Sequence, residues 1–335
     1  MFRGAITLLG APLLALAVQG CTTVPEQDVG EEWEPPSNDW QLVWSDEFEG
    51  PNGTAPDATK WAVFVRGCNY NDEMQFYTDR RENTYLDGAG NLVIQALQEQ
   101  YDAQHSFTSG RLETLGSMEQ LFGAFEARIN LPTGKGLWPA FWLLGNDYQT
   151  IGWPHSGEID ILELAGSRPA NVSSALHAPG YCGGGDNEWC SRPGLTKFSP
   201  PLVGNASYAD DFHIYRFEWG ETGMRWLIDG VSYHERTRSG LEAIGLPWKF
   251  DHPFFLILNV AVGGKFDGNP DTTTVFPQQM LVDYVRVYTL PGMTSPTTGQ
   301  PRSTDARPDF PNINCVGDAG AGAGAASAAG AASTP

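Results

Sequence analysis

The chain has 335 residues, of which 41% are hydrophobic and 12% aromatic, including 11 tryptophans, so a large core is affordable and aromatic side chains remain for other work. Its 40 acids against 20 bases leave a formal charge of −20, which excludes nucleic acid and anionic lipid as natural partners and suits an uncharged ligand such as a sugar.

The N-terminus reads MFRGAITLLGAPLLALAVQGC, one Arg followed by an apolar run that ends in small residues. That pattern predicts a secretory signal over residues 1–20, too short for a comfortable membrane span. Val18-Gln19-Gly20-Cys21 resembles a lipobox, which implies a lipid on Cys21, although Gln19 departs from the small or apolar residue expected there. Ordinary signal-peptidase cleavage nearby is the alternative. Either way the protein is expected outside the cytoplasm, in the cell envelope or beyond it. Residues 21–38 are acidic and carry prolines, as a tether does, and residues 39–290 form the expected folded domain.

Within that domain short apolar runs alternate with turn residues. FEARIN sets Phe125, Ala127 and Ile129 against Glu126, Arg128 and Asn130, the period-two pattern of a half-buried strand. KGLWPAFWLLG places Trp138, Ala140 and Trp142 on one face of the next strand.

GEIDILE follows, with three carboxylates in six residues. Strand alternation puts Glu158 and Asp160 on one side and sends Glu163 to the other, with Ile159 and Ile161. A solvent-facing edge would account for such acids, but like charges this close repel and the strand is otherwise apolar. One inserted residue, a β-bulge, resets the alternation and brings all three acids to one face. Two glutamates flanking a bond, with an aspartate between them, are the apparatus of glycoside hydrolysis.

Cys182 and Cys190 bracket the loop YCGGGDNEWC. With Cys21 lipidated, four cysteines remain, allowing three connectivities, and Cys182–Cys190 is the favoured pair in an oxidising compartment. Their spacing is not that of a zinc site. Farther along, Asp229-Gly230 splits RWLIDGVSYHE into a predicted hairpin, and FFLILNVAV is an apolar run interrupted by Asn259. LVDYVRVYTL closes the domain. Residues 291–335 are loop-like and then Ala/Gly-rich, a tail without the apolar content for a core. Helical periodicity of useful length is absent. The fold class expected is all-β, a sandwich or jelly roll of two antiparallel sheets.

GEIDILE resembles the signature of glycoside hydrolase family 16 in its bulged form. LVWSDEFEG (42–50), NDEMQFYTDR (71–80), FTSGRLET (107–114), FGAFEARINLPTGKGLWPAFWLLG (122–145) and NVAVGGKFDGNPDTTTVFPQQMLVDYVRVY (259–288) resemble the laminarinase-like branch, in the same order. The resemblance implies a β-jelly roll with a concave cleft and retaining endo-hydrolysis of β-1,3-glucan. It implies Glu158 as nucleophile, Glu163 as acid/base and Asp160 as the assisting carboxylate. Trp138 and Trp142 become sugar platforms, with core packing as the alternative for Trp142. Asn71 and Glu73 match the non-reducing side, His177 matches a histidine near the leaving group, and Asn259 joins the substrate-binding set. No cofactor is implied for catalysis. A structural calcium at Glu47, Gly90 and Asp283 is implied, mostly through backbone oxygens, with a carboxylate from Asp283. A monomer acting on β-glucan is expected. Where the branch has Gly-Asn-Trp-Pro-Gly, this chain has Gly264-Lys265-Phe266-Asp267-Gly268, and Cys68-Asn69-Tyr70 replaces a Gly/Trp-rich lead-in to the NDEMQ segment. Both departures leave strict β-1,3 specificity open, alongside mixed-linkage hydrolysis, transglycosylation or glucan binding without turnover.

Overall fold

Alternating apolar and polar side chains need a layer to bury one face against, and here two sheets supply it to each other. The computed structural model describes residues 32–301 except 68, 182–194, 203, 205 and 294. The signal, Cys21 and the Cys182–Cys190 pair therefore lie outside the described residues.

In chain order the first strands are β1 (Gln41–Asp46), β2 (Ala62–Val63), β3 (Gln75–Tyr77), β4 (Thr84–Leu86) and β5 (Leu92–Gln98). Next come β6 (Phe107–Ser109), β7 (Arg111–Glu113), β8 (Met118–Gln120), β9 (Gly123–Asn130) and β10 (Leu137–Gly145). A four-residue helix α1 (Tyr148–Ile151) leads to β11 (Glu158–Glu163), β12 (Ser173–His177) and β13 (Thr196–Phe198). The chain continues through β14 (His213–Trp219), β15 (Gly223–Ile228), β16 (Val231–Thr237) and helix α2 (Arg238–Ala243). It ends in β17 (Phe254–Val262), β18 (Gln278–Thr289) and β19 (Thr297–Thr298).

Among the described residues these strands form a ten-stranded sheet, with β16-β15-β14-β9-β18-β5-β6-β3 as its path, and a nine-stranded sheet, with β13-β12-β11-β10-β17-β7-β2 as its path. Pairing is antiparallel except between β3 and β6. The all-β, two-sheet expectation holds.

The core fills the space between the sheets. From β9 come Phe125, Ala127 and Ile129; from β10, Leu137, Phe141 and Leu143; and from β17, Phe254, Leu256, Leu258, Val260 and Val262. Each buried Phe, Leu, Ile or Val among them stabilises the fold by about 1.5–3 kcal/mol. Tryptophans 219 and 226 lie here as well, so part of the aromatic excess is core after all. The predicted hairpin closes at Asp229 (φ 50°) and Gly230 (φ 80°), both in the left-handed region that such a two-residue turn demands.

Ordered contacts reach past residues 39–290 at both ends. Trp33, in the acidic stretch, is buried and donates its indole N–H to Thr222 at 3.2 Å. It lies across Gly223, where an added Cβ would come within 2.3 Å of the indole, so glycine is required there. Glu34 pairs with Arg225 at 2.6 Å. In the expected tail, β19 pairs with β8.

Candidate active site

The bulge in β11 decides the site. Against β10, Phe141 pairs with Leu162 and Trp142 with Asp160, so Ile161 is the extra residue. Against β12, the register slips between Asp160 and Glu163 as well. Ile159, Ile161, Leu162 and Leu164 all belong to the core, which leaves Glu158, Asp160 and Glu163 together on the outer face of the nine-stranded sheet. A one-residue slip would expose the core residues and bury acids, so burial itself enforces the irregularity. From the opposite sheet, the Trp226 indole donates to the Asp160 backbone carbonyl at 3.0 Å, next to the displaced ladder.

The acids are poorly hydrated. Asp160 is 4% exposed, and no arginine or lysine pairs with any of the three among the described contacts. Burial pushes the Glu158 carboxyl up to about 8; the charges of Asp160 and Glu163 add to the shift, and His177 and the Trp153 side chain oppose it. Burial likewise pushes Asp160 up to about 8. Glu163 is raised to about 8 by burial and by Asp160, against the pull of His177 and of donors on Trp138 and Ser173. These groups exchange charge as one set, so protons leave the trio stepwise.

His177, opposite Glu158 on β12, brings Nε2 within 3.0 Å of Asp160 Oδ2 and 3.8 Å of Glu158 Oε1. The approach to Asp160 is close but poorly aligned, and Asp160 Oδ2 and His177 Nδ1 are buried without an aligned partner among the described residues. Glu158, Asp160 and His177 are also the cluster of metal-ligating side chains found among the described residues, their ligand atoms within 4.8 Å of one another. The histidine thus belongs to the acids themselves, beside Glu158.

Trp138 donates its indole N–H to Glu163 Oε1 at 3.0 Å, while Phe266 stacks on its ring at 4.7 Å between centroids. Trp142 donates to Asn259 Oδ1 at 2.7 Å, and the Arg111 guanidinium lies over its ring at 4.9 Å. Each indole expected as a platform therefore has a covered face and a committed N–H. Asn259 passes the chain on, donating to Tyr77 Oη at 3.1 Å. Glu73 accepts from Gln75 Nε2 at 2.8 Å, and Gln75 Oε1 in turn accepts from the Val262 N–H at 2.8 Å. Burial raises the Glu73 carboxyl to about 7, opposed by donors on Gln75 and Asn71 and by Arg111. Asn71 and Asp72, both at φ 60°, turn the chain onto this face, where Glu73 bridges Gly263. The Tyr77 hydroxyl also hydrogen-bonds the Gln75 side chain, so Asn71, Glu73, Trp142 and Asn259 form one network beside the acids.

Sequence reasoning missed Trp153, Phe266 and Trp226. Trp153 sits 6.0 Å from His177 between ring centroids and is a donor to Glu158. It follows the small helix α1, and no alternation rule places it near β11.

The calcium candidates lie on the other sheet. β5 and β1 follow one another along the same edge of β18, pairing up to Val282 and from Val285 on, so Asp283 sits at the gap between them. Glu47 follows β1 and Gly90 precedes β5, so both flank that gap. The Glu47 carboxylate is taken by Arg286 at 3.0 and 2.8 Å, and Asp283 accepts from Arg128 at 2.8 Å.

Residues 67–286 match the profile of the glycosyl hydrolases family 16. The chain is 39% identical over 257 residues to a beta-glucanase of Rhodothermus marinus, spanning 74% of this chain and 85% of that protein. It is 37% identical over 267 residues to a glucan endo-1,3-beta-glucosidase of Cryptopygus antarcticus, spanning 75% and 92% of the two. The crystal structure of the laminarinase catalytic domain of Thermotoga maritima MSB8 matches with a TM-score of 0.68 at 42% identity, over 75% of this chain and 99% of that one. By profile, by sequence and by fold, the chain belongs to glycosyl hydrolases family 16.

Proposed function

We propose that the protein is an exported retaining endo-β-1,3-glucanase, with Glu158 as nucleophile and Glu163 as acid/base. The observation that carries this reading is the β11 bulge, which puts two glutamates and an aspartate on one desolvated face. Glu158 attacks the anomeric carbon as Glu163 gives its proton to the departing glycosidic oxygen. Glu163 then takes a proton from the water that releases the sugar, so the anomeric configuration is kept. Asp160 and His177 set the charge of Glu158: ionised Asp160 disfavours a second charge beside it, and His177 favours one. Asn71, Glu73, Trp142 and Asn259 supply the adjoining wall on which the glucan lies.

Laminarin tests the assignment. Glu158→Gln should abolish release of reducing ends while glucan binding persists, and proton NMR of the first product should show the β-anomer. Undiminished turnover, or an α-product, would refute it. Phe266-Asp267 stands where the branch has Trp-Pro, which leaves mixed β-1,3-1,4 chains open as further substrates, so lichenan belongs in the same assay.

The signal and lipobox-like stretch support export with an envelope anchor, tested by fractionation of wild type and Cys21→Ser. A structural calcium at the Asp283 gap would take Asp283 Oδ1, the oxygen that Arg128 does not hold, and the backbone carbonyls of Glu47 and Gly90, since Arg286 holds both oxygens of the Glu47 side chain. Chelation should then lower the melting temperature and leave the carboxylate chemistry intact.

A further inference from the structure

Asp267, where the branch has proline, is 4% exposed and gathers three segments. Its Oδ2 accepts from the backbone N–H of Gly136 at 2.8 Å and of Ser167 at 3.1 Å. Its Oδ1 accepts from the Ser167 hydroxyl and lies 3.8 Å from the Lys135 ammonium, which also donates to the Asp267 carbonyl. Gly136 immediately precedes β10, and Ser167 follows the end of β11. One buried carboxylate therefore ties together the entry to Trp138's strand, the exit from Glu163's strand and the loop that carries Phe266.

Phe266 lies on the Trp138 ring at 4.7 Å and 24° between planes, and Trp138 donates to Glu163 Oε1 at 3.0 Å. An oxygen that accepts an indole N–H is a poor place for the acid's proton, which is directed to the other oxygen, Oε2. We infer that Asp267 and Phe266 are positioning residues that, through Trp138, keep Glu163 turned so that Oε2 presents the proton to the glycosidic oxygen. This rests on the acid/base role proposed for Glu163. In the step concerned, Glu158 forms the bond to the anomeric carbon, the glycosidic C–O bond breaks, and the Oε2 proton moves to the leaving oxygen.

The test compares two leaving groups. Laminarin needs a proton at its leaving oxygen; a 2,4-dinitrophenyl β-laminaribioside does not, because the phenolate departs unaided. kcat/KM reports the bond-breaking step for both. Phe266→Ala, Asp267→Asn and Trp138→Phe should each lose about tenfold more kcat/KM on laminarin than on the aryl glycoside, a fraction of what general acid catalysis is worth. Trp138→Phe keeps the stack and deletes the N–H, which separates hydrogen bond from packing. Should Asp267→Asn fail to fold, Ser167→Ala removes a single hydroxyl from the same carboxylate and carries the comparison. Equal losses on both substrates, or none on either, overturn the positioning role. Wild-type cleavage of both substrates is the control that keeps that failure separate from failure of the glucanase reading.

Discussion

The three acids of β11 live under a rule opposite to that of the acids on the other sheet, and to that of Glu113 on their own sheet, which pairs with Arg111 at 2.8 Å. On the outer face of the ten-stranded sheet, guanidinium groups meet them: Glu126 with Arg216 at 2.9 Å, Glu218 with Arg216 and Arg225 at 2.7 Å each, Asp283 with Arg128 at 2.8 Å. Glu47 is held below the usual carboxylate range by its hydrogen bonds to Arg286. On the outer face of the nine-stranded sheet, Glu158, Asp160 and Glu163 share a histidine and two indole N–H groups, and burial raises all three. A guanidinium would lower those carboxyls and abolish the acid. Its absence is what lets one carboxyl hold a proton near neutrality, and it makes the reaction face a burden on stability.

Catalysis gives the largest contrast. Removing the Glu158 charge as Gln should reduce laminarin turnover on the order of 10⁴-fold, since a group acting in covalent catalysis has no substitute. The same substitution should raise stability at high pH. The folded-state pKa of Glu158 lies above its ordinary 4.5, so protonated Glu158 suits the fold and ionised Glu158 opposes it. Its penalty is absent below about 4.5 and grows as pH climbs to about 8. Melting curves should show Glu158→Gln matching wild type at pH ~5 and exceeding it at pH ~9. A mutant less stable at the higher pH would show that the reaction face is no burden.

The pH–rate profile comes next in size. Glu163 works only while protonated, and its pKa is raised to about 8, so the rate should fall above that value by tenfold per further unit. The first ionisation within the trio sets the acid limb and the next sets the alkaline limb, both properties of the set. A rate already lost by pH ~6 would place the carboxyls near their unperturbed values and dissolve the contrast with the other sheet.

Trp226→Phe sharpens the comparison from beneath. It keeps the ring on His234, stacked at 4.3 Å, and removes the N–H given to the Asp160 carbonyl. Leaving a buried carbonyl short of a donor costs about 1–3 kcal/mol. We expect the melting temperature to drop by several degrees and kcat by a few-fold, with KM nearly unchanged. An unchanged kcat would mean that the bulge holds its shape without this prop.

The fold was legible because it rests on period: FEARIN and FFLILNVAV announce their buried faces, and Asp229-Gly230 announces a turn. The bulge was legible because three acids in GEIDILE make sense only if the alternation breaks. Burial and partners of individual indoles were not, since both are tertiary. Trp138 and Trp142 look alike in WPAFW, yet one holds Glu163 under Phe266 and the other holds Asn259 under Arg111. Gly264-Lys265-Phe266-Asp267-Gly268 could be seen as a departure, but its clamp on Gly136 and Ser167 reaches back 131 and 100 residues along the chain and leaves no local mark. Trp33 hid in an acidic stretch for the same reason: its receptor is a pair of distant glycines, Gly220 and Gly223.

The smallest effect belongs to an outer pair. Arg286→Gln removes the partner of Glu47 from a site where both side chains are about a third or more exposed to water, 33% and 41%. Solvent screening limits such a pair to about 0.2–1 kcal/mol. For a domain of this size that is a fall of at most about 2–4 °C in melting temperature. The sign with pH is the reverse of that at Glu158: a carboxyl whose pKa is lowered in the fold contributes above its ordinary 4.5 and loses the contribution as pH falls through the depressed value. Wild type and Arg286→Gln should thus converge in acid, with kcat on laminarin equal at neutral pH. A change in kcat would mean that the two faces communicate through the core between them, and that the ten-stranded sheet is more than a scaffold for the acids of β11.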